Sequence, residues 1–370
     1  MIYLFSTAVI FVFAITHNYS NRLGFNDNKK YIAFALLTYV AAFAYMLGSD
    51  TPEYVGFYQH LEPINFLTSN HISQYRYQPG FTIFCSILRF FSNNYLLFQF
   101  IHAILVNLVI FRFCNKYSHN PYISLLAYML INYLEFNFEI QRESLAVICG
   151  LLAYDCYIHK RLLLSILYFF LAYFFHFSAI ILLLIPVLLK FKSSKRNIYI
   201  LALFAAISPW IWRSIPNAEL FLLLTTDGSI YSSYINQEIN TDYNLYYYIS
   251  FYIMNMGIPL VVLFFIKNKN PYYQNLVLAF ILFRMLSLFS YGFYRFSNYF
   301  VCFYWIALAD FLPYICTKYK KNKVFVYAVV LSIICFTNQT KLFWYEAESN
   351  RYIFQRYYPY SDIIFDGKHF

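Results

Sequence analysis

Arg142 sits in Asn137-Phe-Glu-Ile-Gln-Arg-Glu143, between two apolar runs. An arginine near membrane depth is costly unless it serves a site or pairs locally. Two readings fit. One is a helix cap neutralised by Glu139 and Glu143; the other is an anion-binding guanidinium in a cavity. Arg284 lies inside the apolar run 276–290, and Arg295 lies in Tyr291-Gly-Phe-Tyr-Arg-Phe-Ser-Asn-Tyr299, at a span end. Three arginines converging from different helices would clamp a phosphate, because the guanidinium fork matches its oxygens. His176, in Tyr173-Phe-Phe-His-Phe-Ser178, marks the join of two apolar runs. Its imidazole is a candidate base, phosphate donor or turn cap, with Ser178 placed to orient it.

Acids and aromatics accompany these cations. In Gly48-Ser-Asp-Thr-Pro-Glu-Tyr54, Asp50 or Thr51 reads as a helix cap with Pro52 in the first turn. The functional alternative is a carboxylate, Asp50 or Glu53, that holds an arginine or a sugar hydroxyl. Arg76, in Gln74-Tyr-Arg-Tyr-Gln-Pro-Gly80, either positions a substrate or snorkels at the interface. The chain end carries Arg351, Arg356, Tyr357, Tyr358, Pro359 and Tyr360, a basic aromatic tail suited to covering a groove or lying on headgroups. The histidines are scattered, and Asp50 with Glu53 is too little for a divalent site, so no metal is expected. There is no Gly-rich phosphate loop and no Walker pattern, which argues against an ATP-driven pump. No cofactor is implied.

The elements that hold these residues must be membrane helices. Of 370 residues, 61% are hydrophobic and 12% charged, against about 25% charged in soluble domains. The apolar residues come in long runs, and a bilayer crossing needs roughly 20 of them. A run such as Ile181-Leu-Leu-Leu-Ile-Pro-Val-Leu-Leu189 does not alternate as barrel strands do. Lipid therefore selects helices, in which every backbone group is satisfied internally. The seven cysteines (85, 114, 149, 156, 302, 316 and 335) lie in apolar segments or beside basic loops, so no disulfide framework is expected. Ile2 to Ile15 lacks a basic leader and a cleavage site and reads as a retained helix.

The formal charge of +10 follows topology rather than nucleic-acid binding. Most basic residues fall in six clusters: Arg22/Lys29/Lys30, Arg112/Lys116, Lys160/Arg161, Lys190–Arg196, Lys267/Lys269 and Lys318–Lys323. The positive-inside rule places these in the cytoplasm. Only Asp27, Asp155 and Asp310 of the acids accompany them. The spans then run 1–16, 31–47, 94–111, 121–137, 143–158, 162–175, 177–190, 197–212, 246–266, 271–290, 296–316 and 323–338. That is twelve, with both termini on the outer side. Residues 79–92 resist the scheme. They read as an interfacial or re-entrant helix, with a thirteenth span as the rival. The expectation is one all-α transmembrane domain over 1–370, with larger external elements at 48–78, 213–245 and 339–370.

Taken in order, several motifs resemble the EpsG-like family of bacterial polysaccharide polymerases, related in role to the Wzy O-antigen and capsule polymerases. They are Gly48-Ser-Asp50 with Tyr54, Pro79-Gly80-Phe81, Arg142 with Leu145-Ala146, Phe175-His176 with Ser178-Ala179, Arg295 with Tyr299, and Tyr358-Pro359-Tyr360. Two positions depart from the family pattern. No arginine precedes the Gly-x-Asp element, and Gln78 replaces the usual Glu before Pro-Gly.

The resemblance implies a GT-C-like scaffold and a glycosyltransferase in the bacterial plasma (inner) membrane, serving O-antigen, capsule or exopolysaccharide synthesis. Its donor is a growing glycan on undecaprenyl pyrophosphate. Its acceptor is a single lipid-linked repeat unit, and transfer occurs on the outer face. On that footing the catalytic candidates are His176, Asp50, Arg142 and Arg295. The pyrophosphate falls to Arg142, Arg284, Arg295 and Arg76, and the glycan to Glu53, Tyr54, Gln78 and Arg351. Further partners are membrane lipids, a chain-length regulator and a flippase of the same pathway; nucleic acid is not a partner. Two alternatives stand beside this reading: a GT-C enzyme adding one sugar from a polyprenyl phosphate, and a flippase or exporter of lipid-linked glycan.

Overall fold

The computed structural model describes residues 2–17, 24–25, 27–191, 196, 199–200, 202–204, 206–207, 245–266, 271–288, 291–344, 360–364 and 367. The expected span 197–212 is thus described only in part. Residues 213–244 and 345–359, Arg351 among them, lie outside the described residues. Elsewhere the described chain is helical apart from turns, and its one β feature is an isolated antiparallel bridge between Ala44 and Asp362.

The chain divides into two compact units, Met1–His176 with Tyr327–Phe370, and Phe177–Val326. The first contains α1 (Ile2–Thr16), α2 (Lys29–Ala42), α3 (Thr51–His60), α4 (Ser69–Gln74), α5 (Pro79–Phe91), α6 (Tyr95–Tyr117), α7 (Pro121–Ile131), α8 (Gln141–Ile158) and α9 (Leu162–Phe175). A single π-helical turn, Glu135–Glu139, leads into α8. The second unit contains the 3₁₀ stretch Phe177–Leu183 and the helices Leu184–Lys190, Leu245–Tyr252, Ile258–Ile266, Pro271–Leu286, Tyr291–Asn298 and Val301–Lys318. Three described helices are long and apolar enough to cross a bilayer: Tyr95–Tyr117, Ile249–Ile266 and Val301–Lys318. Shorter apolar helices account for most of the other expected spans.

Local signals explain the starts. Proline opens α5 and α7, where its missing N–H costs no helical bond. Asn94 Oδ1 accepts from the Leu96 N–H at 2.9 Å and caps α6. The segment 48–78, expected only as an external element, folds largely into α3 and α4. Residues 296–316 were expected as one span; the chain instead breaks at Tyr299-Phe300. The hydroxyl of Ser297 bonds back to the Tyr294 carbonyl at 2.6 Å, and the Phe300 N–H closes a turn onto the Ser297 carbonyl.

In the first unit, bonds at both ends fix how the helices run. Tyr95, at the start of α6, donates to Gln141 Oε1 at the start of α8 (2.6 Å). Lys116, near the end of α6, meets Asp155 near the end of α8 (2.5 Å). The two helices therefore run side by side in the same direction. α2 runs the other way, because Gln99 on α6 donates to the Ala41, Ala42 and Ala44 carbonyls at its end (3.0, 3.1 and 2.7 Å). Charge thus segregates as expected: Lys29, Arg112, Lys116 and Lys160 gather at one end, Asp50, Glu139 and Arg142 at the other.

α7 fills the centre and is buried from Pro121 to Leu130. A helix apolar all round belongs in such a place. Its polar groups are absorbed by a buried chain in which Asn137 donates to Tyr128 Oη (2.8 Å) and Tyr128 donates to Asn107 (3.2 Å). Beside it, His102 lies 2.9 Å from Ser144 Oγ. α9 lies at the periphery, with Leu163 82% exposed and Leu167 and Phe170 also open to the surroundings.

Candidate functional site

Arg142 stands in the first turn of α8, just after the π turn. Its guanidinium carbon lies 4.2 Å from the centre of the Tyr77 ring. Its Nη1 donates to Gln78 Oε1 at 2.8 Å, and its buried Nε has no partner among the described residues. Of the two readings of Arg142, the contacts seen are with Gln78 and Tyr77 rather than with Glu139 or Glu143. The Glu139 carboxylate instead receives the Ser49 hydroxyl at 3.3 Å. A neutral amide acceptor leaves the guanidinium its full positive charge. The N-terminus of α8 adds partial positive charge of its own.

The platform beneath Arg142 is aromatic. Tyr77 packs on Tyr54 (5.7 Å between centres), Phe57 (4.6 Å) and Phe81 (5.6 Å). Tyr54, a glycan candidate, is buried and forms part of this platform. Burial pushes the Tyr77 phenol well above its ordinary value; Tyr54 and Glu53 add to the rise, and Arg142 and Arg76 oppose it. The ring therefore stays neutral and presents a π face to the cation. Gln78, also buried, is the residue before Pro79, and Gly80 lets α5 come close enough to seat it. A Cβ on Gly80 would stand 2.7 Å from the Phe174 backbone of α9.

Asp50 occupies the cap position of α3, but its side chain makes no capping bond. Its Oδ1 accepts from the Ser49 hydroxyl at 3.0 Å, and the carboxylate is exposed. Thr51 does not cap either. Its hydroxyl donates to the Phe138 carbonyl (2.8 Å) and to Leu47, tying α3 to the π turn. Glu53 holds Arg76 in an exposed ion pair at 3.2 Å, so the arginine-holding reading fits Glu53. Arg76 is committed to that pair and touches none of the residues around Arg142 by a hydrogen bond.

His176 ends α9, with its N–H on the Ala172 carbonyl and its side chain buried. Ser178 pairs with the Tyr299 hydroxyl at 3.0 Å, which ties the 3₁₀ stretch to the Arg295 segment. In the second unit Arg284 is 6% exposed, with its guanidinium 4.1 Å from the centre of the Tyr294 ring. Its Nε likewise has no partner among the described residues. Arg295 follows on the same short helix, partly buried. Phe293 and Phe296 of that helix pack on Phe283.

The structure thus gathers Asp50, Tyr54, Gln78 and Arg142 at one end of the first unit and sets Arg284 beside the Arg295 helix in the second. Tyr77 and Ser49 are the participants that residue types alone did not single out; Glu139 was singled out, but as a partner for Arg142 rather than for Ser49. The alternation Tyr75-Arg-Tyr77 was the available signal for Tyr77, since it puts two rings on one side of Arg76. Among the described residues no three His, Cys, Asp or Glu side chains cluster as a metal site.

The described chain is thus a helical protein with apolar helices of membrane-spanning character and an arginine set on an aromatic platform. The family model for the EpsG family matches residues 29–361, and the chain belongs to that family, whose members are membrane proteins related to the Wzy-like polysaccharide polymerases. No curated protein and no solved structure matches the chain.

Proposed function

We propose that the chain is a polysaccharide polymerase. It joins undecaprenyl-pyrophosphate-linked repeat units on the outer face of the bacterial plasma membrane, with about twelve spans in a GT-C-like arrangement. The observation that carries this reading is Arg142, charged, held over the Tyr77 ring and keeping a buried Nε with no hydrogen-bond partner among the described residues. In the reaction an acceptor hydroxyl oxygen attacks the anomeric carbon of the donor glycan. The bond from that carbon to the pyrophosphate oxygen breaks, and its electron pair leaves with the lipid pyrophosphate. Arg142 stabilises the charge that develops there. The hydroxyl proton passes to a base, for which buried His176 and exposed Asp50 are the candidates. Arg284 and Arg295 are anion ligands of the second unit. The exposed Glu53–Arg76 pair lies beside the platform and suits sugar hydroxyls. The transfer as written needs no metal.

The test is chain-length analysis in cells carrying Arg142→Ala at equal protein level. Losing one preorganised donor to a developing oxyanion costs about 10²–10³-fold in rate, so long polysaccharide should vanish. Unchanged long polysaccharide overturns the assignment. A ladder of products in the parent identifies a polymerase; a single-sugar increment would identify the one-sugar transferase instead.

A further inference from the structure

The end of α6 and α8 away from Arg142 carries a second site. Arg142 and Asp155 are 13 positions apart on α8, or about 20 Å along its axis. There a shallow, open groove lies between α6 and α8. Its wall is apolar: Val109 and Phe113 from α6, Leu151 and Leu152 from α8. Its polar end is made by Arg112, Lys116, Tyr117 and Asp155.

The charges at that end are unequal. Asp155 is the one acid, and it is already engaged by Lys116 at 2.5 Å, by the Tyr117 hydroxyl and by His159 Nδ1 at 3.6 Å. Arg112 is exposed and has no hydrogen-bond or ion-pair partner among the described residues. The turn after α8 adds Lys160 and Arg161, both exposed. A cation without a partner among the described residues stands beside a shallow apolar surface between two helices. The complementary ligand has a phosphate at one end and a hydrocarbon chain at the other, with no positive headgroup to meet Lys160 and Arg161. Basic pockets between membrane helices take anionic lipid headgroups on this principle.

We propose that this groove binds an anionic phospholipid, its phosphate on Arg112 and Lys116 and one acyl chain along Val109, Phe113 and Leu152. Asp155 holds Lys116 in place rather than competing for it. The site is independent of the transfer reaction, and binding alone tests it.

The full chain, purified in a neutral maltoside detergent, is melted with added dioleoylphosphatidylglycerol or dioleoylphosphatidylcholine. The phosphatidylglycerol is expected to raise the melting temperature and the phosphatidylcholine to do so less. Arg112→Gln should weaken the phosphatidylglycerol response about five-fold in lipid concentration, the effect of one basic residue at a lipid surface. Arg112→Lys should keep most of it. Lys30→Gln, which removes a charge at the same end but outside the groove, should keep all of it. Equal responses to the two lipids, or a full response in Arg112→Gln, overturn the proposal. So does an equal response to inorganic phosphate, because the apolar wall would then contribute nothing. Should Arg112→Gln not fold, Leu152→Asp, which puts a carboxylate on the groove wall, replaces it: phosphatidylglycerol retained in native mass spectra as well as by Lys30→Gln overturns the proposal.

Discussion

Arg142 lies face-on to Tyr77, 4.2 Å from guanidinium carbon to ring centre, while the neighbouring Gln78 fixes one of its nitrogens. Two consecutive residues of one turn thus grip an arginine that is 64 positions away. The ring and the amide orient the cation without neutralising it, so the charge remains for a ligand.

Replacing Tyr77 by leucine removes the π face and should weaken anion binding about 3–30-fold, the range of a cation–π contact of ~0.5–2 kcal/mol. Tyr77→Phe should retain binding. Product formation at limiting lipid-linked substrate separates the two. The phenol also has a signature in pH. Its folded value is raised by burial above the ordinary value of 10.0. The folded state therefore holds that proton more tightly, and the stability this gives is complete below the unfolded value and declines as pH rises above it. Thermal melting between pH 9 and 11 should show a steeper loss for the parent than for Tyr77→Phe.

The helical frame was legible because its signals are local. Uninterrupted apolar runs, prolines at 79 and 121, and basic clusters at alternate loops mark the ends of α5, α6, α7 and α8 without knowledge of any partner. The site was legible in its residues and not in its pairings. Arg142 has two acids within three positions, and proximity in sequence offered them as one of two readings. The π turn reorients that stretch, so Glu139 faces Ser49 and the arginine meets Gln78. Asp50 likewise has the right type and position for a cap, yet its carboxylate takes a hydroxyl instead. Long-range choices of this kind depend on packing that no local pattern encodes.

Two glycines should tolerate nothing larger. Gly48 has φ +90°, and a Cβ there would stand 2.7 Å from the Phe138 carbonyl oxygen. Gly80 has ordinary helical geometry, but its Cβ would stand equally close to the Phe174 backbone. Gly80→Ala should therefore cost about 1–3 kcal/mol through overpacking. Gly48→Ala should cost more, since backbone strain of ~1–3 kcal/mol is added. Melting of the purified proteins ranks them; a Gly48→Ala variant as stable as the parent would contradict the close approach.

The chain end closes onto the loop that carries Asp50. Asp362 Oδ2 accepts from Tyr39 Oη at 2.8 Å and from Tyr360 Oη at 3.2 Å, and its Oδ1 accepts from the Ile364 N–H at 2.7 Å. Tyr360 packs beside Ala44, Leu47 and Phe138. Asp362→Ala takes the acceptor from the half-buried Tyr39 hydroxyl and leaves Tyr360 only the Val40 carbonyl, and should lower stability by about 1 kcal/mol. Proteolysis at the C-terminal end should accelerate in parallel, because the same bonds hold that end against α2.

Arg284 offers the sharpest separation of stability from function. It is buried on Tyr294, and no described residue gives it an ion pair. A buried charge without a counter-charge costs free energy, and an apolar side chain of similar volume often does better in its place. Arg284→Met should therefore leave the melting temperature of the ligand-free protein unchanged or raise it, while long polysaccharide in cells falls. A purely structural arginine would behave in the opposite way, with a lower melting temperature and polymer reduced only as far as the protein level. Measuring both quantities on the same variant decides between an anion ligand and a packing residue. Arg284→Lys sharpens the result: it keeps the charge but loses the flat fork, so polymer should remain low even though a cation is still present.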